Sequence, residues 1–295
     1  MKSGFVAVIG RANAGKSTLV NILTGEKVSI VSPKPQTTRD RIMGIRTTES
    51  EQIAFIDTPG LYKSDNLLNS FMQKTAEDSA VDVDAILFVV DAHAGLGETD
   101  IALIKKFTSL KIPTIVVLSK IDIMPEQLLI SELKELSELE IEVVPVSARR
   151  GKNIKELLKV IKDKLPEGDK IFTDDIISDR SEKFMITEIL REKILLKTDK
   201  EIPHGVAICV NEFALREDKK VYNINLDIIC EKSNHKAIII GKGGKMLKEI
   251  SSFARQDMEK FLNKKVFLTI YVKVKEDWRN SPSLIKSFGY GKENI

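Results

Sequence analysis

The stretch at residues 10–18 reads GRANAGKST and has the residue types needed to bind phosphate. It fits the pattern G-x-x-x-x-G-K-[ST], in which two glycines let the backbone wrap closely enough for successive N–H groups to point at phosphate oxygens. Lys16 can reach the terminal phosphates, and the hydroxyl of Ser17 can bind Mg²⁺. An apolar run at residues 5–9 precedes the stretch, and a helical pattern at residues 17–23 follows it. The sequence therefore predicts a phosphate-binding loop.

Two further motifs suit the metal and the third phosphate of a nucleotide. The motif DTPG begins at Asp57, whose carboxylate can hold Mg²⁺ through water, and the amide of Gly60 can sense a γ-phosphate. Thr37 and Thr38 lie in the loop SPKPQTTRD. A hydroxyl in such a loop completes the Mg²⁺ shell only when a γ-phosphate is present, so we predict a switch here. The sequence leaves open which threonine is the ligand.

The motif SKID at residues 119–122 indicates the base. Asp122 can accept two N–H bonds from guanine but not from adenine, so we predict GTP rather than ATP. Lys120 can lay its stem over the base. The motif VSAR places Ser147 after the last strand, where a backbone N–H would meet the guanine oxygen.

The elements that must position these motifs alternate between strand and helix patterns. Residues 84–91 and 113–119 are continuous apolar runs, as expected for strands buried on both faces. Amphipathic helical spacing covers residues 98–110, 126–140 and 153–165. This alternation predicts a doubly wound α/β domain with a mainly parallel sheet.

The pattern changes after residue 166. We predict a GTP-binding domain at residues 1–166, a linker at 167–180 and a second, α+β domain at 181–295. The predicted order of elements in the second domain is α-β-β-α-α-β. It is read from a helix at 182–198, strands at 206–215 and 221–230, a helix–GKGG–helix unit and a strand at 266–274.

The GKGG turn suits contact with single-stranded nucleic acid. A tight G-x-x-G turn between two helices lets the backbone approach sugar-phosphate, while a flanking apolar groove holds unstacked bases. The residues predicted to contact RNA are Gly241, Lys242, Gly243, Gly244, Lys245 and Lys248.

Composition limits the classes of protein and partner. Of the 295 residues, 42% are apolar and 30% are charged, and no apolar run approaches the ~18 residues of a spanning helix. The pattern passes directly from Met1 to a strand, so we expect no signal peptide and a cytoplasmic location. Cys209 and Cys230 are expected to be reduced core thiols.

The charge of the second domain suggests the kind of partner. Residues 181–295 hold 22 basic and 16 acidic side chains, which suggests a polyanionic partner.

Together, GRANAGKS, KPQTTRD, DTPG, SKID and VSAR resemble the translation-factor-related GTPases, and within them the Era family. The second domain resembles a type II KH domain, so the resemblance covers nearly the whole chain. It implies hydrolysis of GTP to GDP and phosphate with Mg²⁺, as a monomer. It also implies binding of the 3′ end region of small-subunit rRNA in the pre-ribosomal small subunit, and peripheral contact with the inner face of the cell membrane.

The resemblance assigns roles to individual residues. The predicted GTP contacts are Gly10, Arg11, Ala12, Asn13, Ala14, Gly15, Lys16, Ser17, Thr18, Asp57, Thr58, Pro59, Gly60, Leu61, Ser119, Lys120, Ile121, Asp122, Ser147 and Ala148. The predicted switch I residues are Gln36, Thr37, Thr38, Arg39 and Asp40. The predicted Mg²⁺ ligands are Ser17, Thr37, Thr38 and Asp57.

Four positions bear on the strength of nucleotide binding and the rate of hydrolysis. Ser119 stands where the family has Asn, a residue that supports the base and the phosphate loop, so we expect looser guanine binding. Ala12 replaces the usual Pro, with little expected effect. Leu61 stands where Ras-like enzymes use Gln to orient water, so we expect slow hydrolysis. Asn13 matches a position associated with potassium-stimulated hydrolysis, and bracing of the loop is the equally open alternative.

A second function remains an alternative. The chain could be a membrane-surface signalling GTPase whose basic C-terminal half binds anionic lipid. Such a protein needs an amphipathic helix with exposed bulky residues or a lipid anchor. The sequence contains no lipidation motif.

Overall fold

The computed structural model describes residues 1–61, 66–218 and 220–290. The chain forms two compact units. The first extends to residue 179 and the second begins at residue 180, except that residues 66–70 group with the second.

A six-stranded sheet forms the centre of the first unit. Its strands are β1 (Lys2–Ile9), β2 (Ile42–Thr47), β3 (Glu51–Asp57), β4 (Ala85–Asp91), β5 (Thr114–Ser119) and β6 (Glu142–Pro145). Their order across the sheet is β2-β3-β1-β4-β5-β6, and every neighbouring pair is parallel except β2 and β3. The predicted doubly wound α/β fold is confirmed.

Helices cover both faces of this sheet. They are α1 (Lys16–Thr24), α2 (Leu67–Asp78), α3 (Glu98–Thr108), α4 (Glu126–Ser137) and α5 (Ile154–Lys164). Successive residues of β4 point to opposite faces, so Leu87 packs in one core with Leu157 of α5, whereas Phe88 packs in the other with Ile104 of α3. Burial on both faces explains why the central strands are continuous apolar runs.

A segment of irregular chain, residues 171–179, follows the outer edge of β2. The amide of Ile45 donates to the carbonyl of Ile177 at 2.9 Å. The amide of Met43 donates to the side-chain carboxylate of Asp179, also at 2.9 Å. We call residues 171–179 the edge segment, because it covers backbone groups that an edge strand otherwise leaves unpaired.

The second unit packs its longer helices on one three-stranded sheet. Its elements are α6 (Glu182–Lys197), β7 (Val206–Arg216), β8 (Val221–Cys230), α7 (Ser233–Ile240), α8 (Lys245–Leu262), β9 (Lys265–Val274) and α9 (Pro282–Ser287). Strand β8 is central, antiparallel to β7 and parallel to β9. The order up to β9 is the predicted α-β-β-α-α-β, and the core contains Leu190, Leu226 and Ile250.

The two cysteines and the single tryptophan are structural residues. Cys209 and Cys230 are free thiols; Cys230 lies in the core as predicted, whereas Cys209 is only half-buried. The Trp278 ring is fully buried and its N–H donates to the carbonyl of Gly205 at 2.9 Å, so it is a packing anchor.

Among the helices in the described ranges, none is long and apolar enough to cross a membrane.

Candidate nucleotide site and nucleic-acid interface

The phosphate loop connects the end of β1 to the first turn of α1. Gly15 caps α1 with φ 92°, and no side chain caps the helix, so its first amides are available to an anion. The buried Nζ of Lys16 donates to the carbonyls of Gly10 at 3.0 Å and Arg11 at 2.9 Å. Burial lowers the pKa of Lys16 to about 8, partly offset by the charge of Asp57.

The predicted metal ligands meet beside Ser17. Its hydroxyl lies 2.7 Å from that of Thr38, which donates to Oδ2 of Asp57 at 3.3 Å. Complete burial raises the pKa of Asp57, opposed most strongly by a hydrogen bond from Ser17. The hydroxyl of Thr37 instead donates to the carbonyl of Lys34 at 2.6 Å. Thr38 thus joins the other two candidate ligands.

This cluster fits a magnesium ion. Carboxylate and hydroxyl oxygens are the hard ligands that Mg²⁺ prefers, and it keeps several waters in its shell. The second oxygen of Asp57, Oδ1, is buried and accepts no hydrogen bond within the described ranges. A metal-bound water is the type of donor that such an oxygen lacks.

Gly60 follows β3 at the point of closest approach to the phosphate loop. A Cβ on this residue would lie 2.6 Å from Cα of Ala12, so any side chain would displace one of the two segments. The next amide, of Leu61, donates to the carbonyl of Gly10 at 3.1 Å. The side chain of Leu61 is buried in the core of the unit, so it cannot orient a water molecule in the cavity.

The residues predicted to recognise guanine lie at the ends of β5 and β6. The Ser147 hydroxyl donates to Oδ1 of Asp122 at 2.6 Å, and this bond is the main reason that the pKa of Asp122 is lowered. Nζ of Lys120 forms a 2.6 Å ion pair with Asp91. Asp122 is thus ionised and oriented, ready to accept from two neighbouring N–H groups.

Ser119 links the base motif to the phosphate loop. Its buried hydroxyl lies 2.6 Å from the carbonyl of Ala14 and 2.9 Å from that of Val90. It therefore supports the phosphate loop, a role that the resemblance assigned to Asn.

A cavity of about 660 Å³ lies between the phosphate loop, the switch I loop and the base motifs. The predicted residues that line it are Ala12, Asn13, Gly15, Lys16, Ser17, Thr18, Gln36, Thr37, Thr38, Gly60, Ser119, Lys120, Asp122 and Ala148. The predicted residues outside its wall are Gly10, Arg11, Ala14, Arg39, Asp40, Asp57, Thr58, Pro59, Leu61, Ile121 and Ser147. Thr58 donates its hydroxyl to the carbonyl of Val8 at 2.8 Å, a structural contact.

The cavity wall includes residues that the sequence analysis did not select. They are Val31, Ser32, Pro33, Asp91, Ile123, Val146 and Arg149, with Leu19 of α1. A signal for Asp91 was available, because it is the acidic residue that ends the apolar run of β4 at the ligand-binding edge of a parallel sheet.

The predicted RNA contacts surround the turn between α7 and α8. Gly243 has φ 60°, and a Cβ there would meet no atom within 4 Å. Gly244 caps α8, and no side chain caps this helix either, so its N-terminal amides suit a phosphate. Ile238 is 48% exposed beside the turn, whereas Ile239 belongs to the core. The exposed lysines of this surface are Lys242, Lys245 and Lys248.

Comparison with known families matches both units. A model described as a 50S ribosome-binding GTPase matches residues 5–120, and a KH domain model matches residues 201–279. GTPase Era of Clostridium kluyveri is 47% identical over 98% of this chain and 99% of its own length. GTPase Era of Clostridium botulinum is 45% identical over 99% of both.

Solved structures of Era proteins are also similar to this chain. A single-residue variant of Aquifex aeolicus Era, bound to GDP·AlF₄⁻, superimposes with a TM-score of 0.95 at 40% identity, covering 99% of this chain and 100% of that one. Era in complex with MgGDPNP and nucleotides 1506–1542 of 16S ribosomal RNA has a TM-score of 0.95 at 41% identity, with the same coverage.

Proposed function

The chain belongs to the Era family of GTPases, and from this premise we propose that it binds the 3′ end region of small-subunit rRNA through its KH domain and acts in small ribosomal subunit assembly. The observation that carries the proposal is the likeness, at 41% identity over 99% of the chain, to an Era bound to both MgGDPNP and a 16S rRNA fragment. In this proposal residues 1–166 bind GTP and residues 181–295 bind RNA. Residues 167–180 are the linker between these two domains.

The GTP site would recognise guanine by the direction of its hydrogen bonds and the phosphates by positive charge. Asp122 would accept the two guanine donors, and Lys16 would leave the carbonyls of Gly10 and Arg11 to meet the terminal phosphates. Mg²⁺, held by Ser17, Thr38 and the water-linked Asp57, would neutralise charge that develops between the β- and γ-phosphates.

Hydrolysis by the chain alone should be slow. Leu61 cannot take a proton or aim a water, and its side chain lies in the core. The family position of Asn13, which lines the cavity with φ 64°, makes potassium a candidate for part of the missing charge. Faster hydrolysis in potassium than in sodium salts would support that role, and equal rates would leave Asn13 as a brace of the loop.

The switch would report the γ-phosphate through Thr38. Its hydroxyl already contacts Ser17 and Asp57, so a metal between those residues would take Thr38 as a further ligand. Loss of the γ-phosphate would weaken this contact and release the loop. GTP thereby acts as a signal of state for the assembly step.

The KH surface would hold splayed bases beside a clamped backbone. The open N-terminus of α8 and the exposed lysines would meet phosphates, and Ile238 offers apolar surface for a base. Because the groove accepts unstacked bases, single-stranded rRNA should bind more tightly than a duplex of equal length.

The test uses the double variant Lys242→Asp, Gly243→Asp of the full chain. Its binding to the 1506–1542 rRNA oligonucleotide is measured and compared with that of the wild type. We expect binding to be lost and GTP binding to remain. Gly243 has open space around it, so an Asp side chain there meets no core atom, and the strain from its φ of 60° is local to the turn. A matched control, Lys105→Asp with Lys134→Ala, removes the same net charge from exposed helix positions of the GTPase unit.

Three results decide the proposal. Each lost phosphate contact should flatten the log–log salt dependence by roughly 0.7 for a single strand. If the double variant binds the oligonucleotide as tightly as the wild type, the KH assignment is wrong. Binding of anionic vesicles in place of rRNA would support the membrane-surface alternative.

A further inference from the structure

One segment of the GTPase unit carries a charge opposite to the rest of that unit. Residues 149–164 contain seven basic and two acidic side chains, whereas the remainder of residues 1–180 contains 17 basic and 25 acidic. Residues 149–164 thus have a net charge of +5, and the remainder of residues 1–180 has a net charge of −8. Such a contrast concentrates positive potential on one surface and attracts polyanions to it.

The fold places three of these seven cations on one face of α5 and a fourth just before the helix. Residues 155, 159 and 162 follow the i, i+4, i+7 spacing of a helix face, and residue 152 lies just before the helix. Along the axis, residues 155 and 159 are about 6 Å apart and residues 159 and 162 about 4.5 Å apart. We call this surface the α5 lysine face, formed by Lys152, Lys155, Lys159 and Lys162. The other side of α5 packs into the core through Ile154, Leu157 and Ile161.

The cations of this face are mostly uncompensated. Lys162 is engaged, with Glu51 at 3.6 Å and the Ser50 hydroxyl at 2.9 Å. Lys152, Lys155 and Lys159 are exposed, and none forms an ion pair within the part of the chain that the structure describes. The acidic groups nearby are Glu156 and Asp163 of α5 itself, together with Glu142, which pairs with Lys164 at 2.7 Å.

Two kinds of polyanion could bind such a face, a nucleic acid backbone or an anionic lipid surface. Helices that lie on membranes insert bulky apolar side chains beside their cations. Residues 149–164 have no large apolar side chain among the exposed ones, because the apolar residues of α5 face the core. Evenly spaced lysines without an apolar partner are suited to phosphates of a nucleic acid backbone.

We propose that the α5 lysine face is a second, sequence-independent RNA contact, by which the GTPase unit binds backbone phosphates of the small subunit. The inference rests on the proposed function, since it assumes that the KH domain binds the same RNA. When one of two weak contacts on a chain is formed, it holds the RNA close to the other contact. The two contacts together therefore bind the RNA more tightly than either contact alone.

The experiment compares the full chain with the variant Lys155→Glu, Lys159→Glu on small ribosomal subunits, from about 50 to 200 mM salt. With about 0.7 to 0.9 of log–log slope per phosphate contact, the slope should fall by about 1.4 to 1.8. The loss of affinity at about 50 mM salt should therefore exceed the loss at about 200 mM by roughly tenfold. The control Lys105→Glu, Lys134→Glu changes the net charge equally.

Several outcomes are informative. Arg149 lines the nucleotide cavity, so the arginines are left unchanged and GTP binding serves as the test of folding. Should the reversed-charge variant lose GTP binding, Lys155→Gln with Lys159→Gln gives the same slope test. A slope equal to that of the control overturns the inference, as does loss of binding to phosphatidylglycerol vesicles with unchanged binding to subunits.

The two proposals fail in different ways. Failure of the KH assignment is seen with the 1506–1542 oligonucleotide and the Lys242, Gly243 variant. Failure of the α5 contact is seen on small subunits with a chain whose KH surface is intact.

Discussion

Replacing Ser119 by Asn should tighten nucleotide binding. The Ser119 hydroxyl has one proton and two acceptors, the carbonyls of Ala14 at 2.6 Å and Val90 at 2.9 Å. It can donate to only one of them at a time, whereas an Asn amide donates two hydrogens. Gly15 leaves room for the larger side chain, since even a Cβ there would stay 3.7 Å from the hydroxyl oxygen.

The size of the effect follows from one hydrogen bond. A net bond contributes about 0.5–1.5 kcal/mol. If all of it orders the phosphate loop for nucleotide, GDP affinity rises by about 2- to 13-fold. Ser119→Ala removes the donor and leaves both buried carbonyls without it, at a cost of about 1–3 kcal/mol. This variant should bind GDP more weakly than the wild type.

Fluorescent GDP titration of the three proteins is the assay. Ser137→Ala is the control, because that serine also donates its hydroxyl to a carbonyl but is exposed on α4, outside the cavity wall. The reasoning is refuted if the Asn variant binds no more tightly, and the Ala variant no more weakly, than the wild type.

Four other perturbations have definite expected results. Lys16→Ala should abolish GTP binding in a folded protein, judged by unchanged circular dichroism; wild-type affinity would exclude the phosphate loop. Asp122→Asn should favour xanthosine over guanosine nucleotides in competition binding, because the Ser147 hydroxyl holds Oδ1 and the new amide would face the base. Leu61→Ala should cost about 2–5 kcal/mol in urea unfolding yet retain GTP hydrolysis, and complete loss of hydrolysis in the folded variant would contradict this. Burial raises the pKa of Cys209 to about 11 and so favours its neutral thiol; alkylation at about pH 8 should be roughly 100-fold slower than for a free cysteine and should accelerate toward pH 11.

The sequence predicted the central strands because burial on both faces leaves an unmistakable apolar run. The six residues of β2, IMGIRT, carry no such run, and no bounds were predicted for this strand. It contains Gly44 and Arg46, and only its antiparallel pairing with β3 and the contact with the edge segment define it. Helix α2 was also missed, although its length is ordinary.

The motifs identified the residue types of the site but not their pairing. Lys120 belongs to the SKID motif, whereas Asp91 lies 29 residues earlier and outside every motif. They meet because β4 and β5 end at the same edge of the sheet. The choice of Thr38 over its neighbour likewise depends on the path of a loop, for which local patterns carry no information. Contacts of this kind depend on strand order and register rather than on composition.

The edge segment has a consequence for where the GTPase unit can be cut. A fragment ending at residue 166 would contain all the nucleotide motifs, but it would expose the backbone of β2 that Ile177 and Asp179 now occupy. Bare strand edges recruit other chains, so this fragment would be prone to self-association. A fragment ending at residue 179 keeps that edge closed. The residues that look like a spacer in the sequence therefore protect the edge of the sheet.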